Sequence, residues 1–385
     1  MIPRGKLYIN YSQLLKGMAY CLSGQKLIEK KLLHNKLVCL SVRTGFDLIL
    51  QALKFPPGSE MLVIDINIPD MFSIINHHGI NIVPLTVDKH TLNISPNDVK
   101  AEITSNTRAI LITHLFGGVA NTVDIINMAR QHNLMVFEDC AQAYAGNVYE
   151  GNSASDVVMF SFGLIKTNTA GSGAVIAIKN NNLLEKVNAI HAQYPVQPTS
   201  VYFKKLIKIT FMKMLTKRSV YTFFYNLVVA AGEDFEKVIG SFTKGFPGDN
   251  VIEKIRYRIC YGNERLLLQK LEDFSQETIA ERMVLRNNVL NKVVNKSLIG
   301  NLNEKHTHWV IPIEVEHPER IIEVLRKNGF DASQKASSLM KLPVRNRNLT
   351  KNELKLDKLV YLPVYPDMNE SDRNRLNKLL IEILP

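Results

Sequence analysis

The chain has 385 residues, a net charge of +11, 46% hydrophobic and 22% charged residues. Those proportions belong to a folded protein and exclude a disordered tail, a collagen-like chain and a coiled-coil rod. The length suits two domains, or one large α/β domain with an appendage. Four widely spaced cysteines (Cys21, Cys39, Cys140 and Cys260), with no CxxC or CxxH, argue against a disulfide scaffold or a zinc site and suit a reducing cytoplasm. No apolar stretch follows the N-terminus, so no signal peptide is expected. No run of 18 apolar residues offers a bilayer span. The basic balance points to nucleic acid, phosphorylated substrates or an anionic membrane surface. No nucleic-acid recognition motif is found, so that partner is set aside.

Residues 1–36 read as an N-terminal arm with a helix from Tyr11 to about Leu33. From Leu37 to residue 194, apolar runs alternate with helical periods. The runs start at Leu37, Met61, Ile80, Ala109, Leu134, Val157 and Gly173. Helices are expected over Phe46–Leu53, Met71–His78, Pro96–Ile103 and Val123–His132. Strands alternating with helices imply a large α/β domain, with a mostly parallel, mixed seven-stranded sheet covered on both faces. Residues 195–250 break the rhythm as a basic, aromatic helical insert. Lys204, Lys205, Lys208, Lys213, Lys217 and Arg218 interleave with apolar residues, and no acid occurs between Thr199 and Gly232. A long helix is expected from Val251 to about Lys292. It leads into a smaller α+β C-terminal domain within 251–385, with a strand from Trp309, helices over Glu316–Asn328 and Glu370–Ile383, and an extended Leu359–Pro363.

Two segments carry chemistry. Asp139 closes the strand through Met135-Val136-Phe137, and the carboxyl ends of strands are where open α/β sheets bind ligands. A carboxylate there is costly unless a cation meets it. Lys166 sits in a glycine-bearing loop after the next strand and can reach the same crevice, with Ser161 at that strand's end. Thr44 and Gly45 open a predicted helix, where free N–H groups and the dipole favour a phosphate. Helix capping is the rival reading for Thr44, and for Asp139 it can coexist with a ligand role. Cys140 reads as a small core residue and His114 as a structural group.

Several blocks resemble, in order, the DegT/DnrJ/EryC1/StrS aminotransferases, a family of fold-type-I pyridoxal-phosphate enzymes. They are Glu138-Asp139-Cys140-Ala141-Gln142-Ala143, Phe160-Ser161-Phe162 through Lys166, His114-Leu115-Phe116-Gly117, and Leu362-Pro363-Val364-Tyr365-Pro366. The resemblance implies pyridoxal 5'-phosphate held on Lys166 as a Schiff base, with the same lysine moving the proton. It implies Asp139 against the pyridinium nitrogen, Gln142 at the ring hydroxyl, and Ser161 with the Thr44–Gly45 amides at the phosphate. It also implies a homodimer, a small-molecule amino donor such as glutamate or glutamine, and a keto or aldehyde acceptor, usually a nucleotide-linked sugar.

Departures from the family pattern accompany the match. An aromatic residue usually covers the ring where Ile68 stands here, and Phe72 from a shifted helix is the alternative. The family's cross-dimer Asn-Tyr-Arg reads Arg256-Tyr257-Arg258, so Arg256 and Arg258 are the phosphate candidates, against simple solvation. Other chemistry on the same cofactor (elimination, decarboxylation, condensation) and a lapsed scaffold stay open. For residues 201–218 two readings stand. One is peripheral contact with an anionic membrane, on its inner face, which would favour a lipid-linked sugar. The other, slightly favoured, is a helical hairpin packed on the protein with its lysines snorkelling.

Overall fold

The structure is a computed structural model that describes residues 1–25, 36–243, 245–246, 248, 250–293, 297–334, 338–344 and 352–384. In chain order the first elements are α1 (Tyr11–Leu22), β1 (Lys36–Cys39), α2 (Val42–Leu53), β2 (Glu60–Ile64), β3 (Ile66–Asn67), α3 (Pro69–His77) and β4 (Asn81–Leu85). Next come α4 (Pro96–Glu102), β5 (Thr107–Thr113), β6 (Gly118–Val119), α5 (Val123–Gln131), β7 (Met135–Asp139), β8 (Val157–Ser161), β9 (Ala174–Ile178) and α6 (Asn181–Ala192). The insert forms α7 (Thr199–Leu215), α8 (Arg218–Ala230) and α9 (Phe235–Thr243). The chain ends with α10 (Val251–Ile255), α11 (Tyr261–Glu272), α12 (Glu277–Val289), β10 (Lys305–His306), β11 (Ile311–Glu314), α13 (Pro318–Lys327), β12 (Met340–Lys341), β13 (Leu359–Leu362) and α14 (Glu370–Ile383).

The seven expected strands form one sheet in the order β1-β9-β8-β7-β5-β2-β4. Every pair is parallel except the two that involve β9. β9 alone runs backwards, so the carboxyl ends of β1, β7 and β8 share one edge with the start of β9. The strands alternate their side chains as the two-residue period requires. Met61, Val63, Ala109, Leu111, Phe137, Met159 and Ile176 meet α2, α3 and α6 on one face. Leu62, Ile64, Ile110, Ile112 and Val136 meet α5 on the other. Farther along that second face, Val158, Phe160 and Val175 pack against α1, α7 and α11. A separate core joins α12, α13 and α14 to β11 and β13.

Two expectations are corrected. The helix begun at Tyr11 ends at Leu22, and residues 26–33 of its expected length lie outside the described residues. The long helix from Val251 is three helices. Residues 256–260 turn extended because Arg258 forms a parallel bridge with Val196, its N–H donating to Pro195 O at 2.8 Å. A second break falls at Asp273, which caps α11.

The insert's first helix packs on the protein. Tyr202, Leu206 and Ile209 are essentially fully buried against the sheet's second face. Burying a side chain of this size contributes about 1.5–3 kcal/mol, which sets how α7 lies. Three cations of the insert also meet groups of the protein. Lys213 Nζ donates to Leu7 O at 3.3 Å, Lys208 Nζ sits 5.8 Å from the Phe242 ring centre, and Arg218 pairs with Asp372 at 2.9 Å. No helix among the described residues is long and apolar enough to cross a membrane.

Candidate active site

The site forms at the shared carboxyl edge of β7 and β8. Asp139 ends β7 and is almost wholly buried. Its Oδ1 accepts the Ala141 N–H at 3.0 Å, an Asx-type bond made where the chain leaves the strand. Burial pushes its carboxyl pKa upward, against the Ala141 N–H, the charge of Lys166 and a hydrogen bond from Asn67. Asn67 reaches it from β3, while its Nδ2 also donates to Thr113 Oγ1 at 2.9 Å.

Lys166 lies in the loop between β8 and β9. Its N–H donates to Gly163 O at 3.1 Å, and its half-buried ammonium sits 4.5 Å from the Trp309 ring centre. Trp309 Nε1 in turn donates to Ile165 O at 2.8 Å, so the indole pins the loop and floors the lysine at once. The loop is fastened from behind as well, by Asn168 Nδ2 on Lys270 O at 2.7 Å and Arg282 on Thr167 Oγ1 at 3.1 Å. Burial brings the Lys166 amine down to about 8. Asp139 opposes this and Arg43 reinforces it. An amine in that range keeps a usable neutral fraction near neutral pH, as a nucleophile or a general base requires.

A buried network holds Asp139's strand from behind. Glu138, fully buried, accepts from His114 Nε2 and the Asn152 N–H, each at 2.9 Å, and from the Tyr149 and Ser155 hydroxyls. Ala120 N–H donates to His114 Nδ1 at 3.1 Å, which fixes the tautomer with its proton on Nε2. His114, Glu138 and Cys140 bring donor atoms within 4.8 Å of one another. Both carboxylate oxygens are already occupied and burial pushes the Cys140 thiol far up, so the cluster reads as a hydrogen-bonded support.

Gln142 turns its carbonyl to the Phe116 N–H at 2.7 Å, where Phe116 stands in a left-handed conformation at φ 58°. Ser161, half-buried at the end of β8, is one strand over from Asp139 and accepts the Gly163 N–H at 3.4 Å. Ile68 stands half-buried between β3 and α3, next to Asn67. Phe72 is buried in the core between α2 and α3, which takes away the alternative ring cover.

Four other candidates are engaged elsewhere. Ser41, not Thr44, is the N-cap of α2: its Oγ accepts the Thr44 N–H at 3.2 Å. Thr44 is fully buried and its hydroxyl donates to Ile255 O at 2.8 Å. The Gly45 N–H donates to Ser41 O at 3.1 Å, and a Cβ on Gly45 would lie 2.6 Å from Ile176, so this glycine serves close helix–sheet packing. The first-turn amides without an intrahelical acceptor are those of Val42 and Arg43. Arg256 grips its own chain's Asp47 with Nε and Nη2 at 3.0 and 3.1 Å. Arg258 Nε donates to Tyr194 O at 3.0 Å, beside α6. Capping chemistry and long-range pairing claimed these groups, and neither is written in local sequence.

Trp309, Asn67, Arg43 and the Glu138 network are the site residues that the motifs did not single out. Arg43 extends from the start of α2 to Asp70 on α3 at 2.6 Å, under the Phe246 ring. The donor set fits a pyridoxal phosphate. A strand-end carboxylate, an amine coupled to it electrostatically, and a cationic helix start beside a serine hydroxyl match its ring nitrogen, its aldehyde and its phosphate.

Comparison with known proteins agrees with this geometry. Residues 32–212 match the model of the DegT/DnrJ/EryC1/StrS aminotransferase family. A GDP-perosamine synthase of Caulobacter vibrioides is 31% identical over 162 residues, 41% of this chain and 43% of that protein. A dTDP-3-amino-3,6-dideoxy-alpha-D-galactopyranose transaminase of Aneurinibacillus thermoaerophilus is 34% identical over 159 residues, 40% of this chain and 44% of that protein. The chain thus matches less than half the length of these curated relatives. A solved GDP-4-keto-6-deoxy-D-mannose-3-dehydratase of E coli, with bound hydrated PLP, superposes over 99% of both chains with a TM-score of 0.71 at 13% identity, which shows the shared fold. The similarity to the DegT/DnrJ/EryC1/StrS aminotransferase family thus spans residues 32–212, just under half of the chain, while the shared fold extends over all of it.

Proposed function

We propose that this protein is a pyridoxal-phosphate-dependent aminotransferase that moves an amino group from an amino acid, glutamate or glutamine, to a keto group on a sugar. The observation that carries the reading is the placing of Asp139 at the end of β7 and of Lys166 in the loop after the adjoining β8, at one edge of the sheet, with the two groups coupled electrostatically. When bound, the cofactor supplies an electron sink for charge released at the carbon next to the transferred nitrogen. Asp139 would hold the ring nitrogen and favour its protonated form. Asn67 and the Ala141 N–H keep that carboxylate oriented. Lys166 would hold the aldehyde carbon, and its lowered amine would be the group that takes up and returns the proton. Trp309 limits where its chain can swing and excludes water from one side. The NH2 of Gln142 would meet the ring hydroxyl, Ser161 would meet the phosphate, and Ile68 would cover one ring face.

The acceptor is read as a nucleotide-linked sugar, because the matched relatives are named for GDP- and dTDP-linked amino sugars. A homodimer would complete the site, with Arg256 and Arg258 beside the interface. The cytoplasm suits four free cysteines. A membrane contact through residues 201–218 would rest on the exposed Lys204, Lys208 and Lys217, since Lys213 and Arg218 are engaged by Leu7 O and Asp372.

Borohydride reduction tests the reading. Protein incubated with pyridoxal phosphate and reduced should carry one pyridoxyl adduct, found by peptide mass spectrometry on Lys166. Lys166→Ala should carry none there. Absence of the wild-type adduct would remove the proposal.

A further inference from the structure

The corner between α7 and α8 closes a second concavity. A cavity of about 360 Å³ lies where this corner meets the N-terminal arm and the start of α14. That volume is within the range of small-molecule sites, and no residue of the candidate active site lines it. Three segments far apart in the chain hold its walls. The arm is tied to the C-terminal domain by the Ile2 N–H on Gly329 O at 2.7 Å and the Asp331 N–H on Ile2 O at 3.0 Å. The corner is set by the Lys217 N–H on Met214 O at 3.1 Å and by Thr216 Oγ1 on Lys213 O at 2.7 Å. Asn369 caps α14, its side chain accepting the Asp372 N–H at 2.8 Å.

Charge in this cavity is one-sided. No acid occurs between Thr199 and Gly232, so the insert supplies only cations. Lys213, Lys217 and Arg218 come from it and Lys6 from the arm, against Asp367 and Asp372. Four cations over two carboxylates leave an excess of two positive charges. Asp372 is also shared, with Arg218 at 2.9 Å and Arg375 at 3.3 Å. Lys6 meets Asp367 at 2.8 Å, and Lys213 uses one of its three donors on Leu7 O at 3.3 Å. Lys217 is exposed and has no ion-pair partner among the described residues. Donors are therefore left over on each of the four. Two aromatic rings back them, Tyr365 with its centre 5.2 Å from Lys6 Nζ and Tyr11 with its centre 5.6 Å from Lys213 Nζ. Cations gathered in a cleft raise the local concentration of an anion.

We infer that this cavity binds a phosphoryl dianion. An excess of two charges suits a dianion better than a single carboxylate, and the remaining lysine and arginine donors suit its oxygens. Two sources carry that chemistry, a soluble phosphate and the phosphomonoester headgroup of an anionic lipid. Phe211, Met214 and Phe223, exposed on the two helices that meet at the corner, are the apolar groups a lipid would find there. The inference stands apart from the proposed function, because the two sites share no residue.

Lysine footprinting of the full chain tests it. Acetylation with acetic anhydride is run alone, with inorganic pyrophosphate, and with a short-chain phosphatidic acid below its micelle concentration, and each lysine peptide is quantified by mass spectrometry. At least one probe should slow labelling of Lys6, Lys213 and Lys217 and leave Lys204, exposed on the same α7, unchanged. Tighter binding of pyrophosphate assigns the soluble source, and tighter binding of phosphatidic acid assigns the lipid. Calorimetry then compares wild type with Lys217→Met, Lys213→Met and Lys204→Met. Lys217→Met and Lys213→Met should each weaken the protecting probe by about five-fold or more, the size of one hydrogen bond, and Lys204→Met should match wild type. Lys217 is unpaired and exposed, so its variant should keep the wild-type unfolding temperature and report binding alone. Absence of protection by both probes overturns the inference. So does protection that reaches Lys204 equally, or an equal loss in Lys204→Met, either of which is diffuse attraction to a basic surface.

Discussion

The amine of Lys166 offers the sharpest test of the site's electrostatics. With a pKa of about 8 it is roughly one-quarter neutral at pH 7.5, whereas a free lysine near 10.4 is about 0.1% neutral, a ~200-fold difference in reactive form. Burial is the main cause, and the Asp139 charge works against it. Asp139→Asn therefore lowers the amine's pKa further. The gain is bounded: reactivity at pH 7.5 can rise at most about four-fold before the amine is fully neutral, and at pH 10 it should not change. Competitive acetylation of the cofactor-free protein with acetic anhydride across pH 6–11 measures this directly. The Lys166 peptide is quantified by mass spectrometry against exposed Lys204 on the same chain. The expected midpoint for Lys166 is near 8 and moves down in Asp139→Asn. A wild-type midpoint near 10, or slower labelling of Lys166 in Asp139→Asn, would refute the account of how the site tunes its lysine.

Two buried aspartates should respond to pH with opposite signs. Asp47 is fully buried, and although burial alone would raise it, hydrogen bonds from His78 and Arg256 hold its carboxyl down at about 2. Its contribution is present above about pH 4 and is lost as pH falls through 2, so Asp47→Asn should cost about 2 kcal/mol in urea unfolding at pH 7. Asp65, at the end of β2, has Lys341 at 3.4 Å but neither carboxylate oxygen hydrogen-bonded, and burial raises it to about 6. Stability from the protonated form is present below about pH 4 and is lost as pH rises through 6. Asp65→Asn should therefore stabilise the protein at pH 7, by up to about 3 kcal/mol, and flatten the loss of stability between pH 4 and 7.

The sequence by itself determined the layered α/β plan. All seven strands and the helices between them announce themselves by apolar period, because each must bury a face in a way that repeats every two or every 3.6 residues. The positions of Asp139 at a strand end and of Ser161 and Lys166 at and after the end of the next strand were also legible, and the pairing of β7 with β8 puts them at one edge. Tertiary structure alone decided the rest. Ser41 rather than Thr44 caps α2, a choice between two hydroxyls made by backbone angles. Arg256 went to Asp47, 209 residues away in the chain, and Trp309 came 144 residues back to hold the lysine loop. The break at 256–260 likewise arises from contacts between distant segments. Periodicity records what one element needs to bury. It carries no record of which distant partner arrives to share that burial, and in this protein those partners set the charge of the site.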